Sequence, residues 1–203
     1  MKMNLPNKLT VLRLIMVPIF VVVLMVSDAL WASILGIVLF VGASLTDMLD
    51  GKIARKYNLV TDFGKFLDPL ADKFMVIGAM LVILYRTMTA NEPNLLFCNI
   101  FFWSVLIVIF RELAVTSIRL VASGSKGVVL AANMLGKIKT CTQIACVVCC
   151  LAEPLFYQNI NGLDFMMDYL PASVITAALM LVFTLWSGIN YIASYWKYLD
   201  PQK

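Results

Sequence analysis

The sequence predicts an all-α, polytopic membrane protein with six transmembrane helices, and three observations lead there. Of its 203 residues, 62% are hydrophobic and 14% charged, with a mean hydropathy of +0.90. A soluble domain carries roughly a quarter charged residues. Six stretches approach the length of about 20 largely apolar residues that a span needs. Between them the basic residues fall on alternate sides in a strongly biased way.

The six stretches are Leu9–Val26, Trp31–Leu49, Phe66–Leu84, Leu95–Val121, Val128–Leu151 and Ala172–Tyr195. Turn-forming or polar residues separate them: Ser27-Asp28, Tyr57-Asn58, Asn91-Glu92-Pro93-Asn94, Ser123 to Gly127, and Gln158 to Pro171. The first is expected to begin as a short interfacial helix near Pro6, capped by Asn4 or Asn7. Arg13 lies inside its apolar run and no small-residue cleavage site follows cleanly, so it reads as a retained span. No linker, charge block or repeat divides the chain, and residues 1–203 read as a single membrane domain.

With the N-terminus in the cytoplasm and six crossings, every basic residue except Arg86 falls on the cytoplasmic side. That is the pattern the positive-inside rule demands of a protein of the inner (cytoplasmic) membrane, with both termini inside. Asp47, Asp50, Asp68 and Asp72 fall on the same side, which predicts an active site facing the cytoplasm. The expected partners are membrane lipids and phosphorylated metabolites, with no nucleic acid.

Histidine is absent, which excludes an imidazole base or a histidine zinc site. The five cysteines include Cys98, and four of them (Cys141, Cys146, Cys149 and Cys150) lie in the fifth span. There they read as small packing residues rather than disulfides. Trp31, Trp103, Trp186 and Trp196 fall near span ends or lipid faces, where amphipathic rings are at home.

The acids carry the chemistry. Four carboxylates close together beside lipid repel one another unless cations lie between them. Asp47 and Asp50 are three apart and Asp68 and Asp72 four apart, so each pair shares a helix face. Two such helices side by side make an all-oxygen cage suited to Mg²⁺, Mn²⁺ or Ca²⁺ rather than zinc. A pair of metals there would clamp the attacking and leaving oxygens of a displacement at phosphorus. Gly51 and Ala54 keep the stripe low enough for a nucleotide pyrophosphate, Arg55 can fork onto phosphate oxygens, and Gly64 removes bulk from the facing helix. Two other readings stand beside this one: ion pairs with Lys52, Arg55 or Lys73, or a cation pathway in a transporter or channel. The second is opposed by the lack of polar residues continuing a route across the outer halves of the same spans.

A second polar set lies on spans four and five. Arg111 and Arg119 are eight apart, about 80° around a helix, and can face one cavity. Lys139 and Gln143 share a face with Gly136, whereas Lys137 and Lys139 differ by about 200°, so one of the two lysines is expected to point inward. Glu112 and Arg119 can instead pair with neighbours. Interfacial snorkelling is the bland reading for each cation taken singly. Together they read as a site for a dianionic phosphate.

Asp47, Asp50, Gly51, Ala54, Arg55, Gly64, Asp68 and Asp72 match, position for position, a signature that resembles the CDP-alcohol phosphatidyltransferase family. The resemblance implies that CDP-diacylglycerol lies over Asp47, Asp50, Gly51, Ala54, Arg55 and Gly64. On the N-terminal helix, Thr10 and Arg13 can line the nucleotide mouth; the other reading of that stretch is an anchor at the anionic cytoplasmic leaflet. It implies that Asp47, Asp50 and Asp68 bind metal and that Asp72 is general base, metal ligand or both. Mg²⁺ or Mn²⁺ in a two-metal site and a homodimer are implied in the same way. The segments Arg111 to Arg119, Gly136 to Gln143, and Asn7 to Arg13 with Pro18 resemble the branch that makes phosphatidylglycerophosphate. There the acceptor is sn-glycerol 3-phosphate, whose phosphate would meet Arg111, Arg119, Lys137 and Lys139. A serine, inositol phosphate or cardiolipin-type synthase is the alternative within the family.

Overall fold

A computed structural model describes residues 4–57, 61–91, 93–126, 134–159, 166 and 169–195. Within its helices, the side chains of 50–56, 62, 65, 120–126 and 159 fall outside that description. Six helices follow in order: α1 (Leu5–Val26), α2 (Leu30–Lys56), α3 (Asp62–Thr89), α4 (Leu95–Lys126), α5 (Met134–Asn159) and α6 (Pro171–Tyr195). Among the described residues there is no strand.

Local chemistry sets the starts of the first and third helices. Asn4 caps α1 by accepting from the Asn7 backbone N–H at 3.2 Å, with Pro6 in the first turn, where its missing N–H is harmless. The interfacial segment and the first span are therefore one continuous helix. Thr61 caps α3 through the Gly64 N–H at 3.1 Å. The third helix consequently begins before the apolar run that marks it in the sequence, and Asp68 and Asp72 lie in its opening turns.

Among the described residues, five helices are long and apolar enough to cross a membrane: α1, α2 to Leu49, α4 to Arg119, α5 to Gln158, and α6. The exception is α3. Asp68, Asp72, Lys73 and Arg86 interrupt it, leaving a shorter apolar stretch than the sequence reading expected. Its apolar part lies at the centre of the bundle, where Met75, Val76, Ala79, Met80, Val82 and Ile83 are buried against α1, α4 and α5. The opposite face of α3 stays open, with Phe66, Leu70, Phe74, Leu81 and Tyr85 exposed for lipid. The protein is thus a six-helix polytopic membrane bundle with one face of α3 in its core.

The packing order is specific. α1 packs extensively on both α2 and α3, which touch each other little, and α6 packs on both α4 and α5. α1 shows the logic in its register. Thr10, Arg13, Val17, Phe20 and Leu24 are buried, whereas Ile15, Ile19, Val22 and Val26 are exposed for lipid. Because lipid tails are as apolar as leucine, close packing rather than water exclusion holds such helices together. Gly36 lets α2 close on Leu24, where an added Cβ would lie 2.8 Å from Leu24 Cδ2. Gly78 admits Val17 of α1, while Gly42 faces open space. Phe20 and Phe40 join α1 to α2 with ring centroids 5.9 Å apart. The cysteines are all free, with Cys98 and Cys146 buried in the packing.

At one end of the bundle Arg86 of α3 meets Asp28 at 3.0 Å and Ser33 Oγ at 3.0 Å. Nearby, buried Glu153 of α5 caps α6. Its carboxylate accepts from Ala172 N (2.8 Å), Ser173 N (2.6 Å), Ser173 Oγ (2.5 Å) and Tyr157 Oη (2.9 Å). Glu153→Ala strands two helix N-terminal donors and is expected to cost about 2–4 kcal/mol, read as a fall of several degrees in thermal unfolding in detergent. An unchanged melting temperature would remove Glu153 from the architecture.

Candidate active site

The opposite end holds the acids, and α1 organises them. Asn7, Thr10 and Arg13 are three apart, so they form one buried polar stripe on an otherwise apolar helix. The Asn7 side-chain amide bonds the Thr61 hydroxyl at 3.0 Å. The Thr10 hydroxyl donates to Asp68 Oδ1 at 2.6 Å. Arg13, with no solvent exposure, donates from Nη1 to Asp47 Oδ1 at 2.5 Å. One stripe thus joins the acid end of α2 to the acid end of α3. The sequence reading placed those helices directly side by side; the structure sets α1 between them as a polar wedge. Isolated on a greasy helix, Arg13 and Asn7 signalled buried partners but not which ones.

Gly64 makes the approach possible. A Cβ there would lie 2.9 Å from Asn7 Oδ1 and 3.3 Å from Thr61 Oγ1. Asp68 is exposed and Asp47 is 39% exposed, so both face an accessible mouth while anchored from behind. Asp72 lies one turn deeper and is half-buried. It sits within electrostatic range of Asp47 and Arg13, and also of Lys139 and Glu112. It is the carboxylate that feels charges of both polar sets.

The helical backbone of α2 runs through Lys56, which puts Asp47, Asp50, Gly51 and Ala54 on one side of the helix by register. The side chains of Asp50, Gly51, Ala54 and Arg55 lie outside the described residues. Among the described residues no three acids or cysteines converge into a ready-made metal cluster. The donor chemistry nevertheless fits a hard divalent cation, because Asp47, Asp68 and Asp72 offer carboxylate oxygens at one end of adjoining helices. Two of them are already oriented by Arg13 and Thr10.

The second polar set assembles from three helices. Lys139 of α5 is buried and ion-paired with Glu112 of α4. Arg111 Nη1 donates to the same Glu112 Oε1 at 3.1 Å, and Arg111 Nη2 donates to Ser187 Oγ of α6 at 3.2 Å. Gly188 lies directly under Arg111, where a Cβ would come 3.0 Å from Arg111 Cγ. Arg119 is exposed with its guanidinium 6.0 Å from the centroid of the Tyr191 ring. Lys137 is exposed, and Gln143 is buried beside the cluster with no partner for Nε2 among the described residues. The sequence reading missed α6. Its signal was the small pair Ser187-Gly188 in a bulky run, which marks close approach by a neighbour.

Residues 3–186 match the family model described as CDP-alcohol phosphatidyltransferase. The chain belongs to this family. It is 38% identical over 208 residues to the CDP-diacylglycerol–glycerol-3-phosphate 3-phosphatidyltransferase of Bacillus subtilis (strain 168), covering 97% of each chain. It is 32% identical to the protein of the same name from Yersinia enterocolitica serotype O:8, covering 99% of this chain and 100% of that one. A third, from Rickettsia felis, is 39% identical over 141 residues, 70% of this chain and 71% of that one.

For a CDP-alcohol phosphatidyltransferase, the wedge makes a simple prediction. Thr10→Val keeps the shape and deletes the donor to Asp68. It is expected to cost about 1.5–3 kcal/mol, as for a hydrogen bond to a charged group, seen as a lower melting temperature and slower CMP release. Wild-type values for both would show that Asp68 does not depend on α1.

Proposed function

We propose that the protein transfers the phosphatidyl group of CDP-diacylglycerol to the primary hydroxyl of sn-glycerol 3-phosphate, giving phosphatidylglycerophosphate and CMP. The observation that carries this reading is that Asp72 lies within electrostatic range of Asp47 on one side and of Glu112 and Lys139 on the other. The likeness to enzymes of that name along nearly the whole chain supports it.

In this reading the cytidine diphosphate lies along Asp47, Asp50, Gly51, Ala54 and Arg55, with Thr10 and Gly64 shaping the opposite wall. Asp47, Asp50, Asp68 and Asp72 would hold Mg²⁺ or Mn²⁺, a pair of ions that when bound neutralises pyrophosphate charge and polarises the reacting phosphorus. Arg13 and Thr10 keep two of these carboxylates in place before substrate arrives. The acceptor's phosphate meets Arg111 and Lys139, with Arg119 and exposed Lys137 nearer the rim. Its primary hydroxyl then points towards Asp72, which takes the proton as the oxygen attacks the phosphorus bearing diacylglycerol. The bond to CMP breaks, CMP leaves with the electron pair, and the new phosphodiester stays in the bilayer. Little covalent chemistry is asked of the protein, since positioning and charge neutralisation supply most of the acceleration.

The biased distribution of basic residues supports a cytoplasmic active site in the inner membrane, with both termini inside. The reading also carries a homodimer, as the family resemblance implies.

Asp72→Asn is expected to reduce turnover about 10²–10⁴-fold, the usual worth of a general base, while CDP-diacylglycerol still binds. Radiolabelled CMP release against glycerol 3-phosphate, serine, inositol phosphate and phosphatidylglycerol tests the acceptor. Release with serine alone would overturn the reading.

A further inference from the structure

We propose that Glu112 and Ser187 are positioning residues that set the spacing of the two cations meeting the acceptor's phosphate. The inference rests on the glycerol 3-phosphate reading and adds to it the device that builds the site.

The geometry is unusual in one respect. Arg111 is on α4 and Lys139 on α5, and these helices hardly touch among the described residues. Both cations are largely enclosed, with side chains 13% and 8% exposed. Two like charges in an apolar bundle repel, and although α6 packs on both α4 and α5, direct contact between those two helices is too sparse to set where the two side chains sit. Glu112 does so by accepting from both at the same oxygen, Oε1. Ser187 completes the arrangement from the third helix. Its oxygen accepts Arg111 Nη2, while its own proton goes to the Thr184 carbonyl at 3.1 Å, so the guanidinium plane is held from two sides.

The donors these partners leave over are the functional remainder. Arg111 Nε is buried with no partner among the described residues, and the Lys139 ammonium has more N–H groups than Glu112 uses. One carboxylate balances one of two positive charges, which leaves a residual charge and open donors for an anion. Asp72 is the next carboxylate in range of Lys139. By drawing Lys139 to the α4 side, Glu112 keeps it from closing onto Asp72 and leaves that oxygen for the acceptor hydroxyl.

A plain helix-to-helix ion pair would give the same contacts but different kinetics. The test measures KM for glycerol 3-phosphate and for CDP-diacylglycerol on purified full-length enzyme in mixed micelles. For Glu112→Gln the acceptor KM is expected to rise about tenfold or more, with the CDP-diacylglycerol KM changed less than about threefold. Glu112→Asp should recover part of the loss. Ser187→Ala, a smaller perturbation, should raise the acceptor KM about threefold to tenfold with the same selectivity. Equal changes in both KM values, or none in the acceptor KM, would assign the pair a structural role and overturn the proposal. If Glu112→Gln does not fold, the same criterion applied to Ser187→Ala decides. Wild-type enzyme that releases no CMP with glycerol 3-phosphate sinks the functional reading itself, a result distinct from unselective variants of an active enzyme.

Discussion

The site depends on how charge is kept at the edge of an apolar bundle. A carboxylate or guanidinium there is tolerable only with a partner, because both desolvation and like-charge repulsion are strong in a low-dielectric setting. Arg13 has no exposure at all, and its bond to Asp47 fixes the depth of α1 against α2. Thr10 and Asn7, one and two turns earlier, fix the same helix against α3. The spacing of three residues lets one rigid rod satisfy all three, which is why α1 sits between the acid helices. The stripe is therefore both the packing element and the support of the site.

Much of this architecture was legible in the sequence, for identifiable reasons. Apolar length located the helices, although α4 continues through Ser123, Gly124, Ser125 and Lys126, where a break was expected. Helix periodicity set Lys137 and Lys139 on opposite faces, and the structure shows Lys139 as the buried one. Periodicity identifies a buried face but not the neighbour that buries it. Hence α2 and α3 were expected to pack directly, while the intervening α1 appears only in three dimensions. Glu112 illustrates the same limit. Its neighbour Arg111 was plain from the sequence, yet the capture of Lys139, 27 positions away, is a tertiary fact. α3 departs from the expected pattern because its first half carries the charged residues of the site, Asp68, Asp72 and Lys73, ahead of its apolar run.

The two ends of the bundle use polar groups differently. At the Glu153 end the carboxylate accepts four hydrogen bonds, and Arg86 is matched by Asp28 and Ser33. Those groups are spent on holding helices. Towards the other end, Arg111 Nε, Gln143 Nε2, Thr184 Oγ1 and Tyr191 Oη are buried with no partner among the described residues. Buried polar atoms are ordinarily satisfied, since leaving one bare costs about 1–3 kcal/mol. A stability argument alone gives no reason for the shortfall to gather around the Arg111–Lys139 cluster and the wall of α6 behind it. In the proposed reading, an anionic acceptor held between Arg111 and Lys139 would supply a partner for Arg111 Nε.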